Sequence, residues 1–157
     1  MDRSKPLSKL RPVSEIIDPE VRAYAKEATD FLLSKQWCRS VSSLDLGCSI
    51  AGIFGVFLAQ IKPTHPEVDE RLWVVVGDLP PAYLVCDGAA NWQEALAAYV
   101  SEMQQWVEAA SLGQSVEDLI PVNVPPTKEH ASQLATRLDF LHERFITVEA
   151  GDVVGDA

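Results

Sequence analysis

The chain has 157 residues, 47% hydrophobic and 23% charged, the size and balance of one globular domain; a disordered, fibrous or disulfide-scaffold class is disfavoured. Its formal charge of −10 is unevenly placed, because residues 1–71 carry ten acidic and ten basic side chains whereas Leu72 to Thr127 carry seven acidic ones and no Lys or Arg. Such a field repels a phosphate backbone, so nucleic-acid binding is not expected, and it suits either solubility or a basic protein partner.

Residues 1–17 mix Pro6, Pro12 and several serines with Arg3, Lys5, Lys9 and Arg11 and read as a basic arm, flexible or laid over the surface. No apolar stretch follows the charges, so the arm does not resemble a signal peptide. The longest apolar run, Ile50 to Ala59, falls well short of the roughly 20 residues of a membrane-spanning helix. A cytoplasmic protein without a membrane role is expected.

Asp18-Pro19 starts a helix, with Asp18 as N-cap and Pro19 at the first helical position. Val21, Tyr24, Ala25, Ala28, Phe31 and Leu32 recur at offsets of three and four and form one apolar face that should cover a sheet. A short strand is expected around Val41 to Leu46 and a longer one around Gly52 to Ile61. In the second, Phe54, Val56 and Leu58 alternate with Ile53, Phe57 and Ile61, so both faces are apolar and the strand is central. Leu72 to Val76 and Ala82 to Cys86 are two further strands joined by the corner Gly77-Asp78-Leu79-Pro80-Pro81, where the prolines end ladder pairing. Short connections favour an antiparallel meander.

Asn91 with Glu94 three residues on is a capping-box-like start. Trp92, Leu96, Tyr99, Val100, Met103, Trp106, Val107 and Ala110 then form a wide apolar stripe, ended by Gly113. Ser115 to Ile120 reads as a single helical turn. Thr127 caps a last helix whose seam is Leu134, Leu138, Leu141 and Phe145, and 147–157 reads as an acidic, frayed tail. The expected fold is α+β: one domain over 18–146, with an antiparallel sheet of three or four strands packed by an N-terminal helix and two C-terminal helices, in the order α-β-β-β-β-α-α.

No motif names a reaction. Cys38, Cys48, Cys86, His65, His130 and His142 lack the close spacing of metal ligands, and neither a metal nor another cofactor is expected. Cys38, beside Arg39 near a helix end, is the better thiol for a nucleophile, but a helix C-terminus disfavours the thiolate, and Cys86 lies in an apolar strand beside Asp87. Gly47, Gly52 and Gly55 are not followed by the Lys-Ser or Lys-Thr of a phosphate loop. Trp73, Tyr83, Trp92, Tyr99 and Trp106 are spaced as core, with one or two of them free to reach a cleft beside the double proline.

The phrases Leu72-Trp-Val-Val-Val-Gly-Asp-Leu-Pro-Pro-Ala-Tyr-Leu84 and Gly113-Gln-Ser-Val-Glu-Asp-Leu-Ile-Pro-Val-Asn-Val-Pro-Pro-Thr127 resemble a family of bacterial proteins whose domain has no assigned function. The resemblance covers about residues 37 to 146 and brings no catalytic residue. In size, acidity and mixed architecture the chain is also loosely similar to type III secretion chaperones and toxin-immunity proteins.

The leading functional expectation is therefore a non-catalytic protein-binding domain that meets a basic partner through the polar side of helix 92–111, with Glu94 and Glu102. Trp92 joins these as a binding candidate. The alternative is a small-molecule enzyme with a cleft at the Gly77–Pro81 corner, where Asp78 and Tyr83 supply polar groups. Homodimerisation through leftover apolar helix surface is the third reading.

Overall fold

Five antiparallel strands in the order β1-β2-β3-β4-β5 form one sheet in the computed structural model, which describes residues 10–86 and 89–147. The strands are β1 (Arg11–Pro12), β2 (Cys38–Ile50), β3 (Phe54–Pro63), β4 (Arg71–Gly77) and β5 (Ala82–Val85). Helix α1 (Pro19–Leu33) precedes β2, and α2 (Trp92–Ser111) and α3 (Lys128–Leu141) follow β5. The class is α+β. The chain packs as two compact units, Met1–Ala95 and Leu96–Ala157.

In the first unit, the Asp18 carboxylate accepts from the backbone amides of Glu20 and Val21 at 2.8 and 3.2 Å, which starts α1 at Pro19. Val21, Tyr24, Ala25, Ala28 and Leu32 of α1 are buried in one cluster with Leu44 of β2, Phe57, Ala59 and Ile61 of β3, and Leu72, Val74 and Val76 of β4. The other set of alternate residues, Phe54, Val56, Leu58, Trp73 and Val75, is buried too, so β3 and β4 are closed on both faces. This is the central strand expected from the two apolar faces of β3.

β2 is longer than the expected Val41–Leu46 strand. Its pairing with β3 slips between Cys38 and Ser40, between Val41 and Ser43, and between Leu46 and Cys48, leaving Arg39, Ser42 and Gly47 as extra residues. Each bulge inverts the inside-outside alternation, which is why the sequence pattern shows only a fragment of the strand. Gly52, expected inside a strand, instead has φ +77° in the turn that Ile53 closes by donating its amide to the Ile50 carbonyl at 3.0 Å. β1, the strand beyond the expected four, comes from the arm: Arg11 pairs with Leu46 and Pro12 with Asp45. Within the expected arm, 1–9 lie outside the described residues, as do Asp87, Gly88 and 148–157 of the expected tail.

In the second unit, Gly113 (φ +72°) and Gln114 donate their amides to the carbonyls of Ala110 and Ala109 at 3.3 and 2.8 Å, a Schellman arrangement that ends α2. Ser115 to Ile120 makes a turn, Leu119 N–H to Val116 C=O at 3.1 Å, and not the expected helical turn. Thr127 caps α3 through the His130 amide at 3.1 Å. Leu134, Leu138 and Leu141 are buried as expected, but Phe145 is only half-buried. The helix becomes π-helical over His142–Thr147, and the wider turn rotates Phe145 off the seam to an edge-on contact with Phe140, centroids 6.1 Å apart.

Candidate functional site

The residues expected to act are distributed over several places. Asp78 is exposed at the β4–β5 corner, where its backbone amide donates to the Ile53 carbonyl at 2.9 Å. The corner is held tightly, because a Cβ on Gly77 (φ +134°) would stand 2.5 Å from the Ile53 oxygen and 2.6 Å from Phe54 Cα. Tyr83 points to the α1 side of the sheet, where it meets Trp37 edge-on at 4.8 Å between centroids and Phe31 at 6.4 Å. It therefore belongs to an aromatic cluster with α1 and not to a polar cleft with Asp78.

Trp92, half-buried, opens α2 against the Gly47 bulge of β2, where a Cβ on Gly47 would lie 2.8 Å from the Trp92 Cβ. Glu94 is exposed and works locally: its backbone amide donates to Asn91 at 2.9 Å and its carboxylate accepts from the Ala90 amide at 2.9 Å. Glu102 is exposed on the same helix, as is Glu108. Asp78, Glu94, Glu102, Glu108, Glu117 and Asp118, the described carboxylates of the cation-free stretch, are all exposed; Asp87 lies outside the described residues.

Of the other aromatic candidates, Trp73, Tyr99 and Trp106 are core. The Trp73 indole N–H donates to the Ala89 carbonyl at 3.1 Å, and burial pushes the Tyr99 phenol up. Cys38, Cys48 and Cys86 form no disulfide among the described residues, and burial raises the Cys38 pKa, which suppresses the thiolate a nucleophile needs. His130 is used in the α3 cap, with Nδ1 3.1 Å from Thr127 Oγ1 and 3.0 Å from the Pro125 carbonyl. Among the described residues no group of three His, Cys, Asp or Glu side chains converges as a metal site would require. No helix among them is long and apolar enough to cross a membrane.

Two features were not anticipated. One is a pair of carboxylates along α1: Glu20 accepts from the Gly52 amide at 3.0 Å, and Glu27 lies towards the Gly77 amide, whose lowering effect on the carboxyl is outweighed by burial. Between them, burial and the Glu20 charge raise the Tyr24 phenol, while burial raises the Glu27 carboxyl. Spacings of four and three residues put these groups on one stripe of the helix. Their partners are distant in sequence, so only the stripe was legible. The other feature is a pair of surface depressions away from the double-proline corner. One, of about 390 Å³, lies between α1 and β2 and includes Val13, Lys26, Thr29, Val41 and Leu44. The second, of about 440 Å³, sits where the β3–β4 connection meets the end of β5 and is lined by Val68, Asp69, Glu70, Arg71 and Cys86.

Comparison of the chain with protein-family models, with curated proteins and with solved structures found no match.

Proposed function

We propose that this chain is a non-catalytic protein-binding domain that engages a basic partner through the solvent side of α2. The observation that carries the reading is that Glu94, Glu102 and Glu108 are all exposed within a stretch, Leu72 to Thr127, that supplies no Lys or Arg to neutralise them. Unneutralised surface charge of one sign steers association with the opposite sign and costs little to desolvate at a rim. The buried Cys38 and the use of Tyr83 in the aromatic cluster weigh against the enzyme alternative.

Affinity capture from a lysate at low salt, followed by graded salt elution, tests the reading. A basic protein is expected to be retained and released as salt rises, and the triple variant Glu94→Gln, Glu102→Gln, Glu108→Gln is expected to lose it. Glutamine at 94 can still accept from the Ala90 amide, so the helix start survives the change. Retention that is indifferent to salt, or that persists in the triple variant, would refute the proposal.

A further inference from the structure

We infer that the outer edge of β5, with the aromatic rings beside it, is a docking surface for an extended, cationic segment of a partner protein. The inference does not rest on the carboxylates of α2 and goes beyond the reading above. Three observations within the Met1–Ala95 unit carry it.

First, β5 ends the sheet. It pairs with β4 through Leu72↔Val85 to Val75↔Ala82 and, among the described residues, with no strand on its other side, where a strand edge presents backbone donors and acceptors.

Second, the α1 side of β5 is not fully covered. Val85, opposite the buried Leu72, is 46% exposed, and Tyr83 and Trp37 are half-buried. The Trp37 indole N–H and the Tyr83 hydroxyl take no hydrogen bond among the described residues. The rings thus offer an apolar shelf with two available polar handles, the combination that aromatic residues bring to recognition surfaces. The same cluster already holds an ammonium group, since Lys35 Nζ stands 4.4 Å from the Phe31 ring centroid.

Third, the 440 Å³ depression adjoins Val85 through Cys86 and is acidic on balance. Glu67, Asp69 and Glu70 are all exposed in or beside it, against Arg71 and the exposed Lys62 next to Pro63, and neither Asp69 nor Glu70 is ion-paired among the described residues.

Charge selects the occupant. A strand that adds to β5 and alternates apolar residues with Lys or Arg would lay its apolar side chains on Trp37, Tyr83 and Val85. Its cations would then reach Asp69 and Glu70. An acidic strand would meet three carboxylates in a chain that already carries −10.

The test is an NMR titration of the isotope-labelled full chain with a synthetic six-residue peptide of alternating valine and lysine, run beside a valine-glutamate peptide. Saturable shifts of the Trp37 indole and of the Tyr83 to Val85 amides are expected with the lysine peptide alone. Asp69→Asn combined with Glu70→Gln should weaken binding about tenfold, and Val85→Lys should abolish it. These changes are at exposed positions, so the remaining resonances should stay in place. The inference is overturned by an absence of shifts at about 1 mM peptide, by shifts elsewhere, by equal binding of the glutamate peptide, or by variants that bind as the parent does. The triple Gln variant of α2 should leave the titration unchanged; if it alone removed binding, this inference would fail while the α2 reading stood.

Discussion

Gly77→Ala probes how the sheet is closed at the β4–β5 corner. The new Cβ would lie 2.5 Å from the Ile53 oxygen and 2.6 Å from Phe54 Cα, and both are backbone atoms that cannot rotate away. Relief requires β4 to part from β3 at the Phe54↔Gly77 pair, which stretches the 2.9 Å bond from the Asp78 amide to Ile53. The disfavoured φ of +134° costs about 1–3 kcal/mol and the lost bond about 1 kcal/mol, while the reduced entropy of the unfolded chain returns about 0.4–1 kcal/mol. The expected net loss is about 2–3 kcal/mol. In urea unfolding the slope should stay constant and the midpoint should fall by about 1–2 M. Gly52→Ala is the control: its φ is +77° but nothing lies within 4 Å of the added carbon, so only the conformational cost of about 1 kcal/mol remains. Equal losses in the two variants would remove the steric part of the argument, and a Gly77→Ala loss below about 0.5 kcal/mol would refute it altogether.

Trp73→Phe leaves the buried Ala89 carbonyl without its indole donor and opens a small void, for a loss of about 2–3 kcal/mol and a thermal midpoint lower by about 5–10 °C; an unchanged midpoint would show the bond to be idle. Glu27 is held protonated more readily in the folded chain than in the unfolded one, so its contribution is fully present below the usual glutamate pKa of about 4.3 and is lost as pH rises through the elevated folded value. Glu27→Gln should remove that part of the slope in urea midpoints measured from pH 4 to 7. Cys38 should react slowly with iodoacetamide in the native protein and rapidly once unfolded, and fast native labelling located at Cys38 by peptide mass would contradict its burial and raised pKa.

What was legible in the sequence was what local chemistry decides. Asp18-Pro19, Asn91 with Glu94, Gly113 and Thr127 set helix ends through contacts at most a few residues long, and all four stand where the pattern put them. The aliphatic run of β4 and the two-faced pattern of β3 gave the centre of the sheet for the same reason. The rest depends on partners far along the chain. Three bulges hid β2, β1 is two residues whose only strand signal is its pairing with Leu46 and Asp45, and Glu20 finds Gly52 across 32 positions. At the candidate sites, exposure of the α2 carboxylates could be read from the polar side of the stripe. The assembly of Trp37, Tyr83 and Val85 at one edge could not, because it requires the β4–β5 register and the position of α1 together.

The carboxylates divide into two kinds, and salt should tell them apart. Asp18 and Glu20 of the α1 region are engaged at short range, to the amides of Glu20 and Val21 and of Gly52. Glu94 joins them through the Ala90 amide at 2.9 Å. Contacts of that length are screened little, whereas the repulsion among exposed carboxylates such as Glu102, Glu108, Glu117 and Asp118 acts over distances comparable to the Debye length of about 10 Å at 0.1 M. Raising salt should therefore leave the urea midpoint unchanged or slightly higher, since self-repulsion is relieved while the short contacts persist. Over the same range, affinity for a basic partner should fall. A midpoint that dropped as fast as the affinity would mean that the exposed carboxylates serve folding, and the division drawn between structural and partner-facing charge would be wrong.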